Sequence, residues 1–138
     1  FGTKKKDFKM IGVEDINSKD FSTLIGKIIR VITIAESNDE ILFILDDGSE
    51  YILYHDQDCC ENVCIEEIIG DLGDLINTPI LDASEETSKS IPDPDEDDSV
   101  TWTFYKLSTI KGSVTIRWVG SSNGYYSESV DFGKVSYE

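Results

Sequence analysis

Positive charge is what this chain has least of. Of its 12 lysines and arginines a single one, Lys89, falls between Glu36 and Asp98, while 21 of its 28 aspartates and glutamates lie there. That stretch carries a net −20 and the remainder +4, which together make the −16 of the whole chain. A protein so poor in bases is not built to hold nucleic acid directly, because its binders need clustered Lys and Arg to displace counterions from phosphates. The one basic cluster, Lys4-Lys5-Lys6 with Lys9, stands at the start of the chain.

Other shortages exclude further classes. The longest apolar runs, Ile28–Ile34 (broken by Arg30) and Ile41–Leu45, fall far short of the ~20 residues a membrane helix needs. No basic-then-apolar leader opens the chain. Cysteine is scarce and odd in number: three, at 59, 60 and 64, make a poor disulfide framework and point to a reducing cytoplasm. There is no phosphate-cradling glycine loop, nucleophile elbow or metalloprotease helix. Apolar residues are not lacking: at 39% hydrophobic and 10% aromatic, the chain is too rich for a disordered acidic tail. Its 138 residues fit one domain, 1–138.

The hydrophobic pattern predicts an α+β fold, mainly an antiparallel β-sheet of about six or seven strands in meanders and hairpins, with one helical region packed on it. Residues 1–20 read as a flexible arm holding at most a short strand. Lys27–Ala35 is β-branched almost throughout and favours a strand. Ile41–Leu45 and Glu50–His55 follow, joined by an Asp46-Asp47-Gly48-Ser49 turn. Ile65, Ile68, Ile69, Leu72, Leu75 and Ile76 recur at the three- and four-residue spacings of an amphipathic helix. Asp58 with Glu61 would form its capping box, and Asp71 would cap a second piece after Gly70. Residues 84–99, with two prolines and five acids between Pro92 and Asp98, read as a mobile acidic loop. Val100–Leu107 and Val114–Val119 alternate like a hairpin about Lys111-Gly112, with their aromatics expected in the core.

Four groupings carry chemistry. His55, Cys59, Cys60 and Cys64 supply the ligand types of a structural zinc site, without the usual Cys-x-x-Cys spacing. A Cys nucleophile with His55 as base would need a stabilised thiolate, which the surrounding carboxylates oppose. Asp93-x-Asp95-x-Asp97 opens like a calcium loop but has Asp98 where glycine is required and Phe104 where a bidentate glutamate belongs. Tyr125-Tyr126, after Asn123-Gly124, forms a candidate recognition tip.

Tyr54-His-Asp-Gln-Asp-Cys-Cys-Glu61, Ile65-Glu-Glu-Ile-Ile-Gly-Asp-Leu72 with Pro79-Ile80, Thr101-Trp-Thr-Phe-Tyr-Lys106, Ile116-Arg-Trp118 and Ser122-Asn-Gly-Tyr-Tyr-Ser127 together resemble an uncharacterised family of small acidic proteins found in bacteriophage and bacterial genomes. The resemblance spans roughly residues 27–132. It implies a phage or mobile-element origin and a bacterial cytoplasm, and brings no functional residues with it.

Charge and pattern together lead to the expectation of a non-enzymatic binding protein whose acidic surface meets a basic host partner, such as a nucleic-acid-binding defence enzyme. The contact residues expected are Asp46, Asp47 and Glu50 on the hairpin, Asp93, Asp95, Glu96, Asp97 and Asp98 on the loop, and Tyr125 and Tyr126. The alternatives are a small zinc metalloprotein built on the His55–Cys64 cluster, or a phage protein of purely structural role. No cofactor is otherwise implied, and no membrane or direct nucleic-acid contact.

Overall fold

A computed structural model describes residues 13–55, 61–90, 99–122 and 128–137. They form nine strands: β1 (Val13–Ser18), β2 (Ile29–Ile34), β3 (Glu40–Leu45), β4 (Glu50–Tyr54), β5 (Asn62–Ile69), β6 (Asp82–Ser90), β7 (Ser99–Thr109), β8 (Gly112–Ser122) and β9 (Asp131–Tyr137). One sheet runs β1-β9-β4-β3-β2 and the other β5-β8-β7-β6, with every strand pair antiparallel. Their inner faces meet in a single core in which Phe43 and Leu53 of the first sheet pack with Tyr105, Ile116 and Trp118 of the second. Burying a side chain of this size stabilises the fold by roughly 1.5–3 kcal/mol, so the alternating inner faces hold the sandwich together.

The β2-β3-β4 meander forms as its pattern predicts. Ile41, Phe43 and Leu45 turn inward beside Tyr51 and Leu53, and Gly48 closes the hairpin at φ +86°. The β7–β8 hairpin also forms, turning at Ile110-Lys111. Its inward face differs from the aromatic expectation. Thr101, Thr103, Tyr105 and Leu107 are buried, whereas Trp102 and Phe104 lie half-buried on the outer face.

The expected α+β class is overturned. Among the described residues there is no α-helix, only two short 3₁₀ turns, Phe21–Leu24 and Leu72–Leu75, so the fold is mainly β. The stripe read as helical has a specific origin. β5 shifts register between Ile65 and Glu67, so two residues there stand opposite one on β8. Val63 and Ile65 point inward, Glu66 and Glu67 together occupy one outward step, and Ile68 returns to the core. A bulged strand thus reproduces the i, i+3 spacing of a helix. The β-branched content of Asn62–Ile69 agrees with the strand. Gly70 then breaks it at φ +108°, where an added Cβ would stand 2.5 Å from the Ser113 carbonyl oxygen. Asp71 does act as a cap, accepting from the Gly73 amide at 2.8 Å, but the element it caps is the Leu72–Leu75 3₁₀ turn.

Part of the expected acidic loop is strand. Residues 84–90 belong to β6, paired with β7 along its whole length, and Ser99 begins β7; 91–98 lie outside the described residues. Within residues 1–20, Val13–Ser18 is a short strand, β1, paired with β9.

The connections divide between two ends of the sandwich. At one stand the Asp46–Ser49 turn, the β7–β8 turn and the 70–80 segment, tied by amides of Asp46 and Asn77 donating to the carbonyls of Ile28 and Ile29. At the other converge the β2–β3 turn and the chain ends that flank residues 56–60, 91–98 and 123–127, as the pairings Tyr54↔Glu40, Tyr54↔Asp131, Asn62↔Ser121 and Ser99↔Ser122 require.

Candidate functional site

Of the expected contact residues, Asp46, Asp47 and Glu50 lie among the described residues. Asp46 and Asp47 are exposed in the β3–β4 turn, and Glu50 is half-buried at the start of β4. Asp47 accepts from the Ser49 amide at 2.9 Å and from its hydroxyl, and these bonds, the hydroxyl's first, hold its carboxyl below the usual aspartate range. The residues that flank 91–98 and 123–127 stand at the opposite end of the sandwich. Asp93, Asp95, Glu96, Asp97, Asp98, Tyr125 and Tyr126 themselves lie outside the described residues, as do Cys59 and Cys60.

His55 is buried to 1% exposure at the end of β4. Its Nδ1 is 2.7 Å from the Ser129 carbonyl oxygen, and its Nε2 is 3.0 Å from Oε2 of the buried Glu61. A carbonyl can only accept, so Nδ1 is the donor to Ser129, and Nε2 is held by the Glu61 carboxyl. Both ring nitrogens are thereby engaged, and zinc ligation would require one to be released. The other zinc candidate among the described residues, Cys64, points away from the core beside inward Val63. Burial first, then the charges of Asp39 and Glu66, push its thiol up, against both a metal-bound and a nucleophilic thiolate. Among the described residues no three metal-ligating side chains come together.

Sequence reasoning missed the most connected carboxyl. Glu128 is 8% exposed and lies between the sheets just before β9. It accepts from Ser99 Oγ at 3.2 Å, Thr101 Oγ1 at 2.7 Å and Ser122 Oγ at 2.5 Å. Gly120 makes room for it, since an added Cβ there would stand 2.7 Å from the Glu128 carbonyl oxygen. Charge-assisted hydrogen bonds offset the burial of such a group. Together with His55–Glu61 they join β4, β5, β7, β8 and the approach to β9 at one end. This is a satisfied structural network whose hydroxyls face inward, not an exposed nucleophile. The inward Ser/Thr alternation of β7 was the only local trace of it.

Acids also gather in the seam where β6 and the β1–β9 pair face each other. A pocket of about 450 Å³ opens there, with Asp20, Glu85 and Asp131 at its walls and Phe21, Val130 and Phe132 beneath. Phe21 packs on Tyr105 at 4.7 Å and on Phe132 at 5.1 Å between ring centroids, so the floor is aromatic. Partial burial pushes the Glu85 carboxyl up, a hydrogen bond with Tyr105 pulls it back, and the like charges of Asp20 and Asp131 push it up again. Burial, then Glu85, drive the Tyr105 phenol far above its ordinary range. Asp20 is lowered by the Ser22 amide at 2.9 Å and the Ser22 hydroxyl, as the cap of the Phe21–Leu24 turn.

Bases are sparse and committed on the outer face of the second sheet. Arg117 bonds Glu66 at 2.6 Å and Glu67 at 2.8 Å and lies 5.5 Å above the Trp102 ring, while Lys106 meets Glu86 at 3.3 Å.

A family model matches residues 22–132, all of β2 to β8 and the start of β9. No curated protein and no solved structure matches. Over most of its length, then, this chain belongs to the family described as domain of unknown function DUF7448.

Proposed function

We propose that this is a non-enzymatic binding protein that presents fixed carboxylates to a basic partner protein. The observation that carries the reading is where the acids sit. Asp46, Asp47, Glu66, Glu67, Asp71, Asp82, Glu85 and Glu86 are exposed on strands and tight turns of one sandwich, held at set spacings by the sheet. A tail that merely solubilises needs no such order, whereas a surface competing for a phosphate-binding groove does. The partner class is a nucleic-acid-binding enzyme of a bacterial host, with the protein acting as an anti-defence inhibitor of phage or mobile-element origin in the host cytoplasm.

The zinc reading has less support, because both nitrogens of His55 are already bonded and the Cys64 thiol is pushed up. Affinity capture from a bacterial lysate, repeated at about 0.05 and 0.5 M salt, tests the main reading. A basic nucleic-acid-binding protein retained at low salt and released at high salt supports it. Partner retention that ignores salt rules the electrostatic account out.

A further inference from the structure

The two sheets have four edge strands, β1, β2, β5 and β6. Open edges invite pairing with other chains, and proteins blunt them with bulges, prolines, charges or a covering segment. Three of these four are bulged: β1 shifts register between Val13 and Asp15, β2 between Ile29 and Val31, and β5 between Ile65 and Glu67. Part of the β2 edge is also covered, by the Asn77 amide bonding Ile29 and by the Ile76 bridge, and the Ile65 amide of β5 donates to Asn38. β6 is different. Its nine residues pair with β7 in unbroken register from Asp82 to Ser90, and it contains no proline. Among the described residues no backbone group bonds the outer edge of Asp82–Ser90, although Gly26 and Lys27 pair with Ile80 just before it and the Phe21–Leu24 turn packs against the strand.

Its blunting device is mainly acidic charge, three carboxylates against the single base Lys89. Asp82, Glu85 and Glu86 are exposed along it. Two copies of β6 pairing antiparallel about their midpoint would bring Glu86 against Glu86, which disfavours self-association. The same charges favour an incoming basic strand. Glu85 faces inward in register with Tyr105, toward the seam, and forms one wall of the aromatic-floored pocket there. A strand laid along β6 would therefore pass a cavity with room for a long cationic side chain, lined also by Asp20 and Asp131 and by one base, Lys19, so that acids outnumber bases there. Phe21 and Phe132 would take the aliphatic stem of that side chain.

We propose that the outer edge of β6 is a strand-addition site for an extended, lysine- or arginine-bearing segment of the partner protein, with one basic side chain seated in the pocket beside Glu85. Main-chain hydrogen bonds supply the affinity, and the acidic pocket supplies the selection for base. The inference rests on the basic-partner reading and adds to it which surface engages and in what conformation.

The test uses the whole chain and synthetic peptides of about nine residues alternating lysine and threonine, a length matched to β6. One version is unmodified, one is N-methylated at alternate residues so that it keeps its charge but loses edge hydrogen bonds, and one carries glutamate for lysine. Binding is followed by amide hydrogen exchange. The unmodified lysine peptide should slow exchange of amides within residues 84–88 by at least about tenfold, and the methylated and glutamate versions should not. Glu85→Lys, with an otherwise unchanged amide spectrum, should weaken the lysine peptide by on the order of tenfold. Equal binding of the methylated peptide, or protection that spares β6, would overturn strand addition while leaving the electrostatic reading intact. Failure of every lysine peptide to bind at low salt would overturn both.

Discussion

Removing Glu128 tests whether the buried hydroxyl network is what closes the sandwich. Glu128→Ala takes away the common acceptor of Ser99, Thr101 and Ser122, whose oxygens lie 3.2, 2.7 and 2.5 Å from its carboxyl. Two effects oppose each other. Deleting a buried carboxyl removes its desolvation cost, which can stabilise a protein when apolar groups take the space. Here the space is lined by three inward hydroxyls, and each loses about 1 kcal/mol of net hydrogen bonding. The loss wins, and the expected destabilisation is about 3 kcal/mol, a large share of the roughly 5–15 kcal/mol that holds a domain folded. In urea this lowers the unfolding midpoint by about 1.5–2 M at the slope typical of small domains. Glu128→Gln should cost less, about 1 kcal/mol. It keeps one acceptor oxygen, but its amide must retreat from Ser122, whose 2.5 Å approach is shorter than an N–H···O bond allows. A midpoint for Glu128→Ala within about 0.3 M of the parent would refute the reasoning. Glutamine proving as costly as alanine would show that charge, not acceptor geometry, matters.

Gly70→Ala should destabilise by at least about 2 kcal/mol, because φ is +108° and the new Cβ would meet the Ser113 carbonyl oxygen at 2.5 Å; a thermal melt unchanged within a degree or two would count against this geometry at the β5 terminus. The pH response of Glu85 is set by the direction of its shift. A carboxyl raised on folding favours the native state below its unfolded pKa and loses that contribution as pH climbs through the folded value. Glu85→Gln should therefore stabilise at neutral pH, by only a few tenths of a kcal/mol because the site is largely open to solvent, and the gain should vanish in melts near pH 3.5. A gain that grows on acidification would reverse the assigned sign.

Local rules sufficed where partners were close in sequence. The β2-β3-β4 meander and the β7–β8 hairpin could be read because alternation and a turn signal at Gly48 or Lys111-Gly112 lie within one window. β5 could not, because its register shift gives Ile65 and Ile68 the three-residue spacing of a helix on a strand. β6 could not for a different reason. Only Ala83 of its residues with described side chains is buried, so an edge strand carried a loop's composition. The Glu128 and His55 networks join residues up to 74 positions apart, and no window holds both ends. Of the expected zinc ligands, His55 has both ring nitrogens bonded and the Cys64 thiol is pushed up, environments that long-range packing sets and no sequence window shows.

The acidity of the middle of the chain also changes meaning once the fold is known. It divides by depth and by element. Glu40, Glu61 and Glu128 are buried at the loop-bearing end. There Glu61 and Glu128 are part of how the sheets are joined. Glu66 and Glu67 share Arg117, which offsets one of their two charges, on a bulged strand already blocked for pairing. Among the described residues, further exposed acids lie on β6 and around the seam pocket, with a smaller group at the Asp46–Asp47 turn on the far end. A partner groove rigid enough to hold phosphates would span one of these groups more readily than both. Of the two, only the β6 group stands beside an unbulged strand edge and a cavity, which is why recognition is better sought there than at the hairpin that the linear charge pattern first favours.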